Sequence, residues 1–338
     1  MANIKNDGVT LEAMTTRAVS LSDAVLRTPV VPLKTPLIGD LMGGGSVFLK
    51  LECFQHTGTF KARGALSVAR QIPEDRLGAG ITAASAGNHA IAAAWAARQC
   101  GMSAKVVMQN TANPFRIARA RAEQADVILR DPGPDTFAEA ERLSREEGRT
   151  FIHPFEGIDT TLGASGVGLE LIQDVPELDA VIVSVGGGGL ISGVAAAIKA
   201  VNPKCKVFGV EPTGADSMSR SLAAGQPIAL DKVMTIADSL APPMALPFGY
   251  ALCAAYVDEI VTVTDDQICA GMVVLQQEAK LAVEPAAGAA IAGMIGPLRA
   301  RLLGQKIGVV ICGANMDAAS YEVLLARGRD HLDELIAP

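Results

Sequence analysis

The chain has 338 residues, 49% of them hydrophobic and only 4% aromatic, with a formal net charge of -7 and a pI near 5.2. This length and apolar content exclude a disordered chain and call for one large or two medium domains with a substantial core. The acidic balance without a basic stripe disfavours a nucleic-acid partner, and the lack of about 18 consecutive apolar residues disfavours a membrane span.

The opening "MANIKNDGVTLEAM" has neither a basic n-region nor an apolar h-region, so a cytoplasmic protein is expected. Cys53, Cys100, Cys205, Cys253, Cys269 and Cys312 form no CxxC pair and no metal-finger spacing, which suits reduced thiols. Further along, "GTFKARGA" sets Lys61 among small residues where a helix begins. Residues 80–84, "GITAA", read as a strand, and residues 88–101 as the helix after it, closed by glycine, with Ser85 and Asn88 as candidate caps. A strand follows at 104–108. Asn113 then caps a helix that has Pro114 at its first position, leading to a strand at 127–129. A helix over 135–147 ends at Gly148 before a strand at 150–153.

The second half repeats the alternation with longer apolar runs: a strand over 180–185, the loop "GGGG", a helix over 190–201, and strands over 206–211 and 306–313. Continuously apolar strands of this kind are buried on both faces by helices, so the expected fold is α/β with open, mostly parallel sheets. In such sheets ligands bind beyond the carboxyl ends of the strands, and three loops stand out there. Gly186, Gly187, Gly188 and Gly189 lie between a buried strand and a helix start, where bare N–H groups and the helix dipole suit a phosphate. The pattern is neither GxGxxG nor GxxxxGK[ST], which points to a phosphate on a smaller cofactor. "SAGNHA" is a small-residue loop able to cradle a carboxylate, although its His89 alone reads as a packed core histidine. "VVICGANMD" places Cys312 at a strand end, where a buried thiol is ordinarily an inert hydrophobe.

A lysine, a phosphate cradle, an asparagine loop and a strand-end thiol are explained together by pyridoxal 5′-phosphate, with the lysine as Schiff-base partner. Through "RTPVVPL", "LKLECFQHTGTFKARGA", "ASAGNHA", "HPFEG", "GGGGLISG", "GVEP", "TIAD" and "CGAN", in that order, the chain resembles the fold-type II pyridoxal-phosphate enzymes, and among them the serine/threonine dehydratases and serine racemase. The resemblance implies a tryptophan synthase β-like fold of two open twisted sheets. It also implies a large cofactor-binding domain of residues 1–79 plus 158–338 and a small domain of residues 80–157. By match, Lys61 resembles the Schiff-base lysine and Phe60 its neighbour at the ring. Asn88 resembles the partner of the ring hydroxyl, Gly186 to Gly189 with Leu190 the phosphate cup, and Cys312 the group facing the pyridine nitrogen. Ser85, Ala86, Gly87, Asn88 and His89 resemble the loop that grips the substrate carboxylate.

The implied activity is elimination of water from a 3-hydroxy amino acid of the L-threonine/L-serine class, giving a 2-oxo acid and ammonia in a cytoplasmic homodimer. A dehydratase for a bulkier or acidic substrate, a racemase, or a non-catalytic amino-acid sensor are the alternatives. Ala86 stands where racemase-like members have a second serine, which argues against efficient racemisation. Ser217 stands where relatives have a metal-binding carboxylate near Glu211, so no cation site is assigned. "TLGASGV" and Ser239 also depart from the family pattern, so the substrate side-chain pocket is expected to differ. Glu284 resembles a cofactor-side residue.

Overall fold

The computed structural model describes residues 8–85 and 87–337. Its strands are β1 (Val30–Pro32), β2 (Ser46–Lys50), β3 (Ile81–Ala84), β4 (Ala104–Gln109), β5 (Asp126–Arg130), β6 (Thr150–Phe151), β7 (Ala180–Ser184), β8 (Lys206–Pro212), β9 (Glu259–Val263) and β10 (Lys306–Val310). The helices in the first half are α1 (Leu11–Leu21), α2 (Pro36–Leu41), α3 (Lys61–Ala69), α4 (Asn88–Gln99), α5 (Pro114–Ala122), α6 (Pro134–Glu147) and α7 (Ile158–Asp174). Those in the second half are α8 (Gly189–Val201), α9 (Ser217–Ala224), α10 (Pro247–Tyr256), α11 (Asp265–Glu278), α12 (Pro285–Ile295), α13 (Arg299–Leu302), α14 (Ala318–Asp330) and α15 (Leu332–Ile336).

The strands form a six-stranded sheet ordered β1-β2-β10-β7-β8-β9 and a four-stranded sheet ordered β5-β4-β3-β6. Only the β1–β2 pair is antiparallel. The expected fold class is therefore the one found. Every residue of β7 is buried, as is all of β10 beyond Lys306, and their apolar side chains share one core with α8 and α12. A second core joins α3 and α4 to the smaller sheet. Its alanines let helix and sheet approach closely, and its packing fixes the start of α4 beside the start of α3.

Local signals account for several boundaries. Asn113 accepts from Phe115 N–H at 2.8 Å, with Pro114 opening α5, and Gly148 takes a left-handed conformation (φ 68°) at the end of α6. Two expectations require correction. The strands at 150–153 and 306–313 are shorter, ending at Phe151 and Val310, because the chain beyond each turns into the site. Nor do Ser85 and Asn88 cap α4: Gly87 is the N-cap residue and no side chain caps the helix. The Ser85 hydroxyl accepts from Gly87 N–H at 3.1 Å, while the Asn88 amide is engaged across the cleft.

Candidate active site

Lys61 is the first residue of α3, and the strand end after β10 fixes its position. Thr59 bridges Gly313 in antiparallel fashion, and Phe60 N–H donates to the Cys312 carbonyl at 3.1 Å. Upstream, Gly58 has φ 75° and a Cβ there would lie 2.7 Å from Asn315 Oδ1, so the approach needs glycine. The lysine Nζ donates to the Pro154 carbonyl and lies 5.1 Å from the centre of the Phe60 ring. Burial lowers its pKa to about 8, against the opposing influence of the Glu284 carboxylate. The chain thus holds a largely desolvated amine that sheds its proton near neutrality.

One cavity with about 440 Å³ of open space is lined by Lys61, Phe60, Asn88, Cys312 and the whole loop from Gly186 to Leu190. The glycines are enforced by their neighbours. A Cβ on Gly187 would lie 2.2 Å from the Phe155 ring, one on Gly188 (φ 90°) 2.8 Å from Met218 Cε, and one on Gly189 2.7 Å from the Phe155 carbonyl oxygen. No side chain caps α8, so the first N–H groups of this helix are left for a ligand at the cavity end. Cys312 is buried, and desolvation followed by the nearby Glu284 holds its thiol well above the usual range, so it is a neutral S–H.

The side chain of Asn88 belongs to a buried network that joins the two sheets. Its Nδ2 donates to both carboxylate oxygens of Glu284 at 2.8 and 2.9 Å, and its Oδ1 accepts from Asn315 Nδ2 at 2.8 Å. Asn315 N–H donates to Glu284 at 3.2 Å, and the Ser239 hydroxyl does so at 3.3 Å. Arg116 on α5 donates through Nε to the Asn315 carbonyl at 2.9 Å and through Nη1 to Asp238, and its guanidinium is 3.9 Å from Glu284. Burial raises the Glu284 pKa while Arg116 and Asn88 lower it. Arg116 carries no sequence signal for this position; Asp238 and Asn315 were visible only as the last letters of "TIAD" and "CGAN".

His89 is buried, and its Nε2 meets the Ile152 carbonyl at 2.8 Å. Its pKa falls to about 3 through desolvation and the Lys61 charge, so a neutral ring donating to that carbonyl serves the fold. Gly87 packs against Arg116, where a Cβ would come within 2.8 Å of the side chain. Ala86 lies outside the described residues. Glu211 lies in a different place. Its carboxylate accepts from Met218 N–H, Ser219 N–H and the Ser219 hydroxyl at 2.9, 2.8 and 2.6 Å, and burial raises its pKa to about 7. Among the described residues no group of three or more His, Cys, Asp or Glu side chains is arranged to hold a metal.

A buried amine, a loop of bare glycines at a helix start and a neutral thiol surround one cavity, and their chemistry fits a phosphorylated carbonyl cofactor. Comparison with known proteins agrees: residues 21–313 match the family described as "Pyridoxal-phosphate dependent enzyme", and the chain belongs to that family. It is 46% identical over 285 residues to "Phenylserine dehydratase" of Ralstonia pickettii, covering 84% of this chain and 87% of that one. It is 35% identical over 321 residues to "L-threonine ammonia-lyase" of Thermotoga maritima, covering 95% and 79%. Among solved structures, maize serine racemase superposes with a TM-score of 0.88 at 31% identity, covering 95% of this chain and 99% of that one. No helix among the described residues is long and apolar enough to cross a membrane.

Proposed function

We propose that this chain is a pyridoxal-phosphate-dependent ammonia-lyase that eliminates water from a 3-hydroxy amino acid and releases a 2-oxo acid and ammonia. The observation that carries the reading is the Lys61 amine, its pKa lowered to about 8, in a cavity shared with the glycine loop and a neutral Cys312. Relatives named as dehydratases and ammonia-lyases support it.

When bound, the cofactor supplies a carbonyl that condenses with amines and a ring that withdraws electrons from Cα. Everything else falls to the protein. The N–H groups of residues 186–190 bind the phosphate and fix its depth in the cavity. Lys61 would hold the cofactor's carbonyl through its neutral amine, and the same amine would serve as the base for the proton on the substrate Cα. Cys312, buried at the cavity wall with a neutral S–H, would offer the ring nitrogen an uncharged partner in place of a carboxylate. Asn88, its amide held between Glu284 and Asn315 at the cavity wall, would meet the ring hydroxyl. The loop 85–89 receives the substrate carboxylate at the start of α4, where the N-cap has no side-chain partner of its own.

Residues 80–157, which hold the smaller sheet, are proposed as the small domain, and the remainder as the cofactor domain. The reading also includes a cytoplasmic homodimer, the dimer supported by the family resemblance alone, and light scattering measures the oligomeric state. The deciding experiment adds L-threonine, L-serine and L-threo-3-phenylserine to the purified yellow protein while released 2-oxo acid is assayed. Spectral change with oxo-acid release is expected. A protein that stays colourless with added pyridoxal phosphate, or releases no oxo acid from any 3-hydroxy amino acid, overturns the reading.

A further inference from the structure

Aromatic residues make up 4% of the chain, with nine phenylalanines in 338 residues, yet three of the nine meet His153 beside the cavity. Phe155 lines the cavity next to the glycine loop. The His153 ring is 4.7 Å from Phe155 at 88°, and is 6.1 Å from Phe137 and 5.9 Å from Phe151. Phe137 and Phe151 complete the set at 6.3 Å and 75°. Three of these four pairs are edge-to-face, an arrangement that aromatic rings prefer, and the His153–Phe137 pair is tilted at 44°. The rings lead from the cavity wall out to α6, where Phe137 is 38% exposed. A large apolar side chain left partly open at the end of such a row is available to pack against a ligand.

The chemistry of the surroundings narrows what that ligand carries. A second, smaller cavity beside Lys61 is bounded by His153 and by the small residues Gly64, Ala65, Thr160 and Ala164. Among the described residues that line it, Lys61 alone is charged and none is a carboxylate or guanidinium. His153 adds no cation at neutral pH: burial lowers its pKa to about 4, and its Nδ1 accepts from Phe155 and Glu156 N–H at 3.3 and 3.0 Å. The ring therefore behaves as an uncharged aromatic surface. An acidic substrate side chain would find no cationic partner apart from the amine that does the chemistry, and a methyl group would leave most of the aromatic surface uncovered.

We propose that Phe155, His153 and Phe137 form the side-chain subsite of this enzyme and select substrates whose β-carbon bears an aryl ring. The proposal rests on the amino-acid-binding role assigned to the same site and deepens it by naming the substrate class. Phe137 is the specificity-determining residue that most cleanly tests it, because it is half-exposed and lies outside the cavity that holds the cofactor residues.

The test uses holoenzyme in two measurements. The first takes the ratio of kcat/KM for L-threo-3-phenylserine to that for L-threonine. In Phe137→Ala the ratio falls at least tenfold, and in Phe137→Leu, which keeps apolar bulk without the ring, it falls by an intermediate factor. The second takes the ratio of Kd for L-alanine to that for L-phenylalanine by spectral titration, which requires no elimination; it falls in the same order. A ratio within twofold of the unsubstituted enzyme in both variants, or an unsubstituted enzyme that binds L-alanine as tightly as L-phenylalanine, overturns the proposal. If binding follows the expected order while no 3-hydroxy amino acid is dehydrated, the subsite stands and the elimination reading fails.

Discussion

The two ends of the cavity are built by different means. At the glycine loop the ligand surface is backbone, made by four consecutive residues and shaped by what their side chains lack. At the Asn88 end the surface is side chain, assembled from partners 196 and 227 residues away in sequence and crossing from one sheet to the other. The first is a rigid, local device whose geometry follows from the β7–α8 turn. The second exists only when both sheets are folded and docked, so its strength depends on buried charge that has no solvent to fall back on.

That contrast is broken most severely at the residue both ends serve. Lys61→Ala removes the only amine among the described residues that line the cavity, and turnover is expected to vanish with the visible absorption band while thermal unfolding stays close to that of the unsubstituted protein. Retained oxo-acid release would sink the assignment. Next comes the backbone end. In Gly187→Ala the new methyl meets the Phe155 ring at 2.2 Å, and overpacking of this kind costs about 1–3 kcal/mol. Weakening of pyridoxal-phosphate affinity by about 100-fold, ~2.7 kcal/mol, is expected in a spectral titration, and unchanged affinity would show that the loop yields freely.

The same contrast explains what the sequence revealed. The glycine loop, Lys61 and Cys312 were legible because each is a local pattern at a strand end or helix start. So were the α5 cap at Asn113 and the stop at Gly148. The network around Asn88 was not, because Arg116 looks like any other basic residue of α5 and its role arises only where Asn315 and Glu284 arrive from the far end of the chain. The capping role read into Asn88 failed for the same reason: the Oδ1 that would accept from a helix N–H accepts instead from Asn315 Nδ2, 227 residues away, while the Ser85 hydroxyl accepts from Gly87 N–H. The aromatic row shows this too, with Phe137 standing 16 positions before His153 in a stretch that carries no motif.

At the side-chain end the expected effect is smaller on the cofactor and larger on folding. Arg116→Met removes the cation 3.9 Å from Glu284 and leaves a buried carboxylate whose pKa burial already raises. Breaking a buried pair in this way costs about 3 kcal/mol, which urea unfolding reads directly. Glu284 then takes a proton and Asn88 loses half of its bidentate acceptor, so pyridoxal-phosphate affinity weakens by about tenfold. Arg116→Lys restores part of both. Loss of stability with unaltered affinity would separate the network from the site.

The pH dependence of cofactor uptake sharpens the local side. Lys61 must be neutral to condense, and its pKa is lowered from 10.5 to about 8. Below that value the neutral fraction climbs roughly tenfold per pH unit, and above it the fraction levels off. The rate at which cofactor-free protein gains visible absorbance on mixing with pyridoxal phosphate is therefore expected to rise between pH 6 and 8 and to flatten by pH 9. A rate still climbing at pH 10 would mean that the cavity leaves the amine as solvated as a surface lysine.

Cys312 gives the smallest effect and the finest discrimination. Its thiol is raised well above 9, first by burial and then by Glu284, so it stays protonated through the working range and cannot contribute a titrating charge. Cys312→Ala is expected to slow turnover several-fold, because a weak donor facing the ring is gone. The pH profile of kcat/KM should nevertheless superimpose on that of the unsubstituted enzyme between pH 7 and 9.5. Cys312→Ser, which keeps a neutral donor in the same place, should recover most of the rate. An alkaline limb that disappears in Cys312→Ala would show a thiolate instead. The strand-end residue would then be part of the charged network with Glu284, and the division between a neutral, local half of the site and a charged, long-range half would fail at its boundary.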